Sequence, residues 1–346
     1  MAPVETQTAL AEHTTLRLGG PARAFVVAES TDALLDAVRA AGEPMLLLGG
    51  GSNLVVGDGG FDGTVVKIAT TGWTVDGDSV EVAAGQNWDE FVAATVGEGL
   101  GGLECLSGIP GSVGATPIQN VGAYGCEVAD LLTSIDCYDR RTGEVRTMTA
   151  AELGFAYRTS VLKGTDAGIV LNVRFKLRPD GLSAPVSYGE LARTLGVDLG
   201  SRVPAADARE AVLALRRGKG MVLDPGDHDT WSAGSFFTNP IVPEADLPGV
   251  LARIAESVDA PVPQYPADGG VKLPAAWPID RAGLGKGYPG PGSRVSLSSK
   301  HTLALTNRGG ATTEELLALA REVRDGVRDR FAVTLRPEPL LINCAL

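Results

Sequence analysis

The stretch Leu103–Gly125, LECLSGIPGSVGATPIQNVGAYG, sets five glycines and two prolines against a single charged side chain, Glu104. A segment of that composition binds with its backbone. Glycine lets the main chain approach a ligand closely and adopt positive φ, so that successive N–H groups converge on an anion. One such run alone reads equally well as a glycine-rich turn between strands. A second run lies upstream, in Met45–Val56, MLLLGGGSNLVV, where a short apolar strand enters Gly49, Gly50, Gly51, Ser52 and Asn53 before a second apolar run. Two uncharged glycine loops flanked by strand-like sequence point to one large nucleotide cofactor held at two places. Neither loop is a G-x-G-x-x-G opening a helix or a G-x-x-x-x-G-K-[ST], so this is a different device from the dinucleotide fingerprint and the P-loop.

At 346 residues the chain exceeds the size at which one core stops growing, so two or more domains are expected. Hydrophobic content of 44% and charged content of 21% are those of a globular protein, which excludes extensive disorder. No apolar run approaches a membrane span, and the N-terminal MAPVETQTAL lacks a basic region followed by an apolar one, so a cytoplasmic location is expected. Cys105, Cys126, Cys137 and Cys344 show no CxxC spacing and read as buried small hydrophobes rather than a disulfide framework. A net charge of −12 argues against a nucleic-acid surface, which needs clustered Lys and Arg, but leaves room for small anions held by a few local cations. His13, His228 and His301 are far apart and form no HExxH, so no metal site is expected. No histidine lies between His13 and His228, so if a flavin sits at the glycine loops, no histidyl link to it comes from within that span.

The pattern alternates strands and helices without repeats. Thr31–Ala41 reads as a helix with Thr31 as N-cap, and Asn87–Gly99 as a helix capped by Asn87 with Glu90 three residues on. Met45–Leu48, Thr64–Ile68, Ser79–Gly85, Ser134–Asp139 and Ile169–Leu177 read as strands, with a turn at Arg140–Gly143. Arg178–Pro185, RPDGLSAP, reads as a linker by its Pro and Gly content. Helices follow near Ala205–Arg216 and Pro243–Val258, and the strongest is Thr312–Phe331, with Thr312 and Glu315 at capping-box spacing.

Four short constellations carry possible chemistry. Ala156–Ser160, AYRTS, sets a permanently charged guanidinium beside a phenol, a pairing suited to carboxylate or phosphate, although an isolated arginine is more often a surface residue. Ser232–Pro240, SAGSFFTNP, leads a small-residue turn into Ser235, two phenylalanines and Asn239, and by itself is equally a strand start. Arg216, Arg217 and Lys219 in RRGKGMVLDP read most simply as a solvated helix end. Arg336-Pro337-Glu338-Pro339 fixes a carboxylate between two prolines before an apolar C-terminal strand.

Taken in order, TTLRLGGPARAFVVA (Thr14–Ala28), LLLGGGSNLVV, LSGIPGSVGATPIQNVGAYG, FAYRTSVLK (Phe155–Lys163), SYGEL (Ser187–Leu191), AGSFFTNP, AAWPIDRAGLGKGY (Ala275–Tyr288) and the terminal PEPLLI resemble the UDP-N-acetylenolpyruvoylglucosamine reductase (MurB) family across residues 14–342. The resemblance implies an α+β fold, with a vanillyl-alcohol-oxidase/PCMH-type FAD-binding domain of two subdomains over 1–180. A smaller α+β substrate-binding domain is implied over 200–346, with the final strand carrying Glu338 back to the active site. It implies FAD as a non-covalent cofactor and NADPH as co-substrate. The implied reaction reduces UDP-N-acetylglucosamine enolpyruvate to UDP-N-acetylmuramate in peptidoglycan precursor synthesis. The resemblance implies that hydride passes from reduced FAD to the enolpyruvyl β-carbon and a proton from Ser235 to the α-carbon. The implied partners are the UDP-sugar and NADPH, with no nucleic acid or membrane, and the implied state is a monomer.

By the same resemblance the catalytic residues are Arg158, Ser235 and Glu338. The FAD residues are Gly49, Gly50, Gly51, Ser52, Asn53, Ile109, Pro110, Gly111, Ser112, Gly114, Ala115, Gln119, Asn120, Gly122, Ala123, Tyr124 and Ile169. Tyr157, Tyr188, Lys219, Asn239 and His301 are the substrate residues. The chain departs from the family pattern in three places: Lys219 precedes GMVLDP rather than the close Pro-x-Pro common in the family, His301 stands where relatives often carry a substrate-binding glutamine, and Pro339 follows Glu338. Two other classes share part of the sequence signal. A flavin oxidase of this fold has the glycine loops without needing Arg158, Ser235 and Glu338 as a set, and a silent glycan- or nucleotide-binding protein would be colourless.

Overall fold

The computed structural model describes residues 3–346. Two compact units are each assembled from separate stretches of chain. The first takes residues up to Gln7, Arg23–Gly50 and Asp62–Gly218, and the second takes Thr8–Ala22, Gly51–Phe61 and Lys219–Leu346. This differs from the expected division at 180–200. The segment Arg178–Pro185 is no linker: Arg178 and Gly101 exchange backbone hydrogen bonds of 2.8 and 2.9 Å, and Ser183 N donates to Val203 O at 2.7 Å. Ala184 N donates to the fully buried Glu104 carboxylate at 2.6 Å, and Gly102 N donates to its other oxygen. The one charge of the glycine-rich stretch is thus an internal acceptor, buried because backbone amides satisfy it.

In the first unit a five-stranded antiparallel sheet runs in the order Glu144–Thr149, Leu132–Asp139, Gly168–Lys176, Ser79–Ala83, Trp73–Asp76. Its buried face packs Val80, Val82 and Phe175 against Trp88 and Phe91 of the helix Trp88–Gly97. Asn87 Oδ1 caps that helix by accepting from Glu90 N at 3.1 Å. In another sheet Met45–Leu48 runs parallel to the later half of Phe61–Ile68, with Leu48 opposite Lys67. The helix Thr31–Ala40 is capped by Ser30, whose Oγ accepts from Ala33 N at 3.2 Å, one residue before the expected Thr31. The helices Gly189–Leu195 and Ala205–Gly218 complete this unit.

The second unit packs Leu316, Leu317, Ala320, Val323, Val327 and Phe331 of the helix Thr313–Phe331 into a core with Phe236, Phe237, Ile279 and Leu297. The Thr312–Glu315 capping box forms in both directions. The last strand, Leu340–Ile342, lies parallel to Leu54–Val56, directly beyond the first glycine loop. No helix among the described residues is long and apolar enough to cross a membrane.

Candidate active site

Within the first unit the two glycine runs are pressed together. A methyl at Gly50 would lie 2.4 Å from the Gly111 Cα, and one at Gly49 would lie 2.5 Å from Ser112 Oγ, so neither position accepts a side chain without displacing the other loop. Not every amide of the longer loop faces outward. Val113 N donates to Gln86 O (2.9 Å), Gly114 N to Ala84 O (2.7 Å) and Ala115 N to Ser112 O (3.1 Å). Among the described residues, the amides of Gly50, Gly111 and Ser112 donate to no protein acceptor. Open amides on a backbone stripped of Cβ atoms suit an anion such as a diphosphate. Ile109 is half-buried against the main core and Pro110 is half-buried beside it. Ile169 is buried in a core with Ala28, Leu34 and Tyr138, which leaves only its main chain for a ligand.

The later part of the loop holds Arg158. Its Nη2 donates to Gly122 O at 2.5 Å and its Nη1 to Asn120 O at 3.5 Å, with Glu127 3.9 Å away and the Tyr157 ring centroid 5.4 Å from Cζ. Arg158 sits at φ +54°, a conformation that non-glycine residues adopt only where surrounding bonds hold them. The Lys163 ammonium supplies one such bond, donating to Arg158 O at 2.7 Å. Asn120 is fully buried, and its side chain bonds Glu127, Ala156 O and Ala129 N, so it shapes this loop rather than facing outward. Gln119, Gly122 and Ala123 are half-buried around it.

Tyr124 meets Tyr188 edge to face at 5.5 Å, and Ser187 Oγ donates to Gly125 O at 3.2 Å. Burial pushes the Tyr124 phenol up to about 12 despite the opposing Arg216 cation. It therefore stays protonated at neutral pH and able to donate a hydrogen bond. Arg216 drew attention in the sequence only as a helix-end charge. Burial pushes its guanidinium down, against the favourable fields of Tyr124 and Asp89.

In the second unit, Gly51 lies at φ +63° beneath the His13 carbonyl, and Asn53 O accepts from Leu340 N at 3.0 Å. Ser52 and Asn53 are half-buried. Ser235 follows Gly234 (φ +74°) and precedes the fully buried Phe236. The segment after it pairs with the one carrying Glu338. Glu338 N donates to Phe236 O at 2.9 Å, Thr238 N donates to Arg336 O at 3.0 Å, and Phe237 bridges Pro337. This single bridge brings Ser235 and Glu338 onto neighbouring segments. Pro339 falls where the Glu338 amide has already made its bond. Asn239 Oδ1 accepts from Ala275 N at 2.9 Å, fixing that asparagine to the AAWPIDR segment. His301 N donates to Ser298 Oγ at 3.2 Å. Lys219 is half-buried at the start of this unit's last stretch.

Three supporting carboxylates went unread in the sequence, because their partners lie far along the chain. Asp89 accepts two bonds from Arg209 (2.6 and 3.1 Å) and one from Gly108 N (2.6 Å), tying two helices to the loop. Asp229 accepts from Ser299 N, Ser299 Oγ and Arg308, and Asp227 pairs with Lys300, together fixing the turn that carries His301.

Known proteins match this arrangement along its whole length. A FAD binding domain model matches residues 22–149, and a model of the UDP-N-acetylenolpyruvoylglucosamine reductase C-terminal domain matches residues 224–342. A reductase of that name from Saccharopolyspora erythraea is 67% identical, covering 98% of this chain and 96% of the relative. Another from Nocardia farcinica is 60% identical over 100% of this chain and 91% of its own length. The crystal structure of UDP-N-acetylenolpyruvylglucosamine reductase (MurB) from Thermus caldophilus superposes with a TM-score of 0.69 at 28% identity, covering 99% of this chain and 100% of that one. A relative 67% identical over nearly the full chain, with both family models in the expected order, settles the lineage. The chain belongs to the UDP-N-acetylenolpyruvoylglucosamine reductase family.

Proposed function

We propose that this FAD-dependent oxidoreductase reduces the enolpyruvyl ether of UDP-N-acetylglucosamine enolpyruvate to the lactyl ether of UDP-N-acetylmuramate, with NADPH as electron source, in the making of peptidoglycan precursors. FAD, when bound, would supply the redox chemistry, with NADPH as the source of the hydride and the enolpyruvyl β-carbon as its destination. The residues of the chain do the rest. Charge then develops on the α-carbon and the neighbouring carboxylate. Arg158 grips that carboxylate with a planar fork of donors and stabilises the developing enolate. Ser235 delivers a proton to the α-carbon, and Glu338 assists from the enolate side. A hydroxyl is a weak acid at its ordinary pKa and donates only to something as basic as an enolate, which is why a serine without a histidine partner suits the task.

The amides of Gly50, Gly111 and Ser112 would hold the FAD diphosphate, and the close packing around Gly49, Gly114 and Ala115 would shape that cradle. Gln119, Gly122, Ala123 and Tyr124 would line the ribityl chain and ring, in a loop that Asn120 braces. Tyr157, Tyr188, Lys219, Asn239 and His301 hold the substrate's diphosphate and sugar. The observation that carries this reading is the backbone bond from Glu338 to Phe236, which sets a carboxylate and a hydroxyl on neighbouring segments. The test is the visible spectrum of the purified protein. It should be yellow, bleach on adding NADPH, and regain its colour on adding the enolpyruvyl substrate. On denaturation the flavin should leave the chain as free FAD. A colourless protein that takes up no FAD, or a bleached one that the substrate leaves bleached, would overturn the proposal.

A further inference from the structure

We propose that Lys67 is the counter-cation of the cofactor's diphosphate, a contact that neither glycine loop supplies. The strand register sets Lys67 opposite Leu48, the last residue before the first loop, and its ammonium donates to Gly49 O. That carbonyl satisfies one of three N–H donors. The side chain is half-buried, and burial, with no opposing carboxylate, pushes the ammonium below its ordinary value. Among the described residues no ion pair involves Lys67, in a chain carrying twelve more negative than positive charges. A desolvated cation whose charge no carboxylate offsets is costly, and the cost is relieved when an anion arrives. The open amides of Gly50, Gly111 and Ser112 belong to the same packed pair of loops, since Gly49 and Gly50 touch Ser112 and Gly111. Amides and ammonium together make a site for a dense, doubly charged anion. Residues 22–149, which match the FAD binding domain model, contain all of these groups.

The proposal rests on the assignment of the two glycine loops to the FAD diphosphate. The experiment uses the flavin-free protein and its Lys67→Met and Lys67→Arg variants, with FAD, riboflavin and inorganic diphosphate as ligands and binding followed by flavin fluorescence. Lys67→Met should weaken FAD binding by about 10- to 100-fold at low salt, the range for losing a hydrogen-bonded charge contact, and should flatten its salt dependence. Riboflavin, which has no phosphate, should bind both proteins alike, and Lys67→Arg should keep most of the FAD affinity. The flavin-free Lys67→Met protein should melt at the same temperature as the parent or higher, because a burial penalty is removed, while its gain on adding FAD should shrink.

FAD affinity within twofold of the parent would overturn the proposal. So would equal losses of FAD and riboflavin together with a lower melting temperature, which would make Lys67 a brace for Gly49. Inorganic diphosphate should compete with FAD for the parent and much more weakly for Lys67→Met. If it competes with neither, the loop assignment fails and the proposal with it. If it competes with both alike, the loops stand and Lys67 alone is wrong.

Discussion

Adding one methyl group at Gly122 tests the role of the Arg158 guanidinium without touching the arginine itself. A Cβ there would stand 2.8 Å from Arg158 Nη1, 2.9 Å from Glu127 Cγ and 3.0 Å from Cys126 O. Carbon makes comfortable contact with such atoms at roughly 3.5 Å or beyond, so the overlap is about 0.7 Å. Two of the three neighbours are outer atoms of long side chains, which can swing away, whereas a carbonyl can give only a little. The fold should therefore tolerate Gly122→Ala at a cost of about 1 kcal/mol, the low end for overpacking. The guanidinium should leave its bond to Gly122 O. Misplacement of a positioning group by about 1 Å costs on the order of 10²-fold in rate, and that loss is expected in the step where substrate reoxidises the flavin. Rapid-mixing absorbance separates that step from bleaching by NADPH, while fluorescence titration reports FAD affinity, which is expected to fall less than reoxidation because the added methyl meets Arg158 and Glu127 rather than the diphosphate loop of Gly50, Gly111 and Ser112. Reoxidation within twofold of the parent, with a folded and FAD-loaded variant, would refute the claim that the position of this arginine governs the reaction.

Ser235→Ala should still be bleached by NADPH at a near-normal rate while turnover falls by about 10² to 10⁴, and Ser235→Cys should lose much less; turnover like the parent's would leave the proton to another group. Glu338→Gln should fold and bind FAD normally but slow reoxidation by substrate by about 10²-fold or more, and a loss under twofold removes it from the mechanism. Burial raises Asp89, but Arg209 and the Gly108 amide outweigh it and hold the carboxyl below its ordinary value. Its charge thus stabilises the fold at neutral pH, and the contribution disappears as pH falls from the ordinary carboxylate range through the lowered folded value. Asp89→Asn should cost about 2 kcal/mol at pH 7 and little near pH 2, so urea midpoints of the two proteins that stay equally far apart at both pH values would contradict the assignment.

Local signals in the sequence translated directly into structure. The Thr312–Glu315 box needs only residues three apart, and it forms. Asn87 caps its helix for the same reason, and the Ser30 cap misses its expected position by one residue because serine and threonine are adjacent there. What escaped depended on partners distant along the chain. Proline and glycine in RPDGLSAP do not reveal whether a segment spans open water or lies packed, and Glu104, whose bond to Ala184 decides the matter, is 80 residues away. The motifs of the site were legible as motifs, but their division of labour was not. Nothing in IPGSVGA says that the amides of Val113, Gly114 and Ala115 are already engaged, leaving Gly111 and Ser112 open. Lys67 drew no notice inside the strand Thr64–Ile68, because the carbonyl it faces and the carboxylate it lacks are both matters of space.

The parallel pairing of Leu54–Val56 with Leu340–Ile342 sets an order on biogenesis. Closing that ladder requires Leu340–Ile342, so the strand after Asn53 must wait, unpaired on that side, until residue 342 has been made. Domains otherwise tend to fold as they leave the ribosome, N-terminal ones first. Here the first unit has all its residues by Gly218, but the second, which includes Thr8–Ala22 and Gly51–Phe61, cannot close its ladder before residue 342 has emerged. Nascent chains stalled before that point should hold a protease-sensitive second unit, and a rigid fusion placed close behind Ile342 should slow maturation more than the same fusion at the N-terminus.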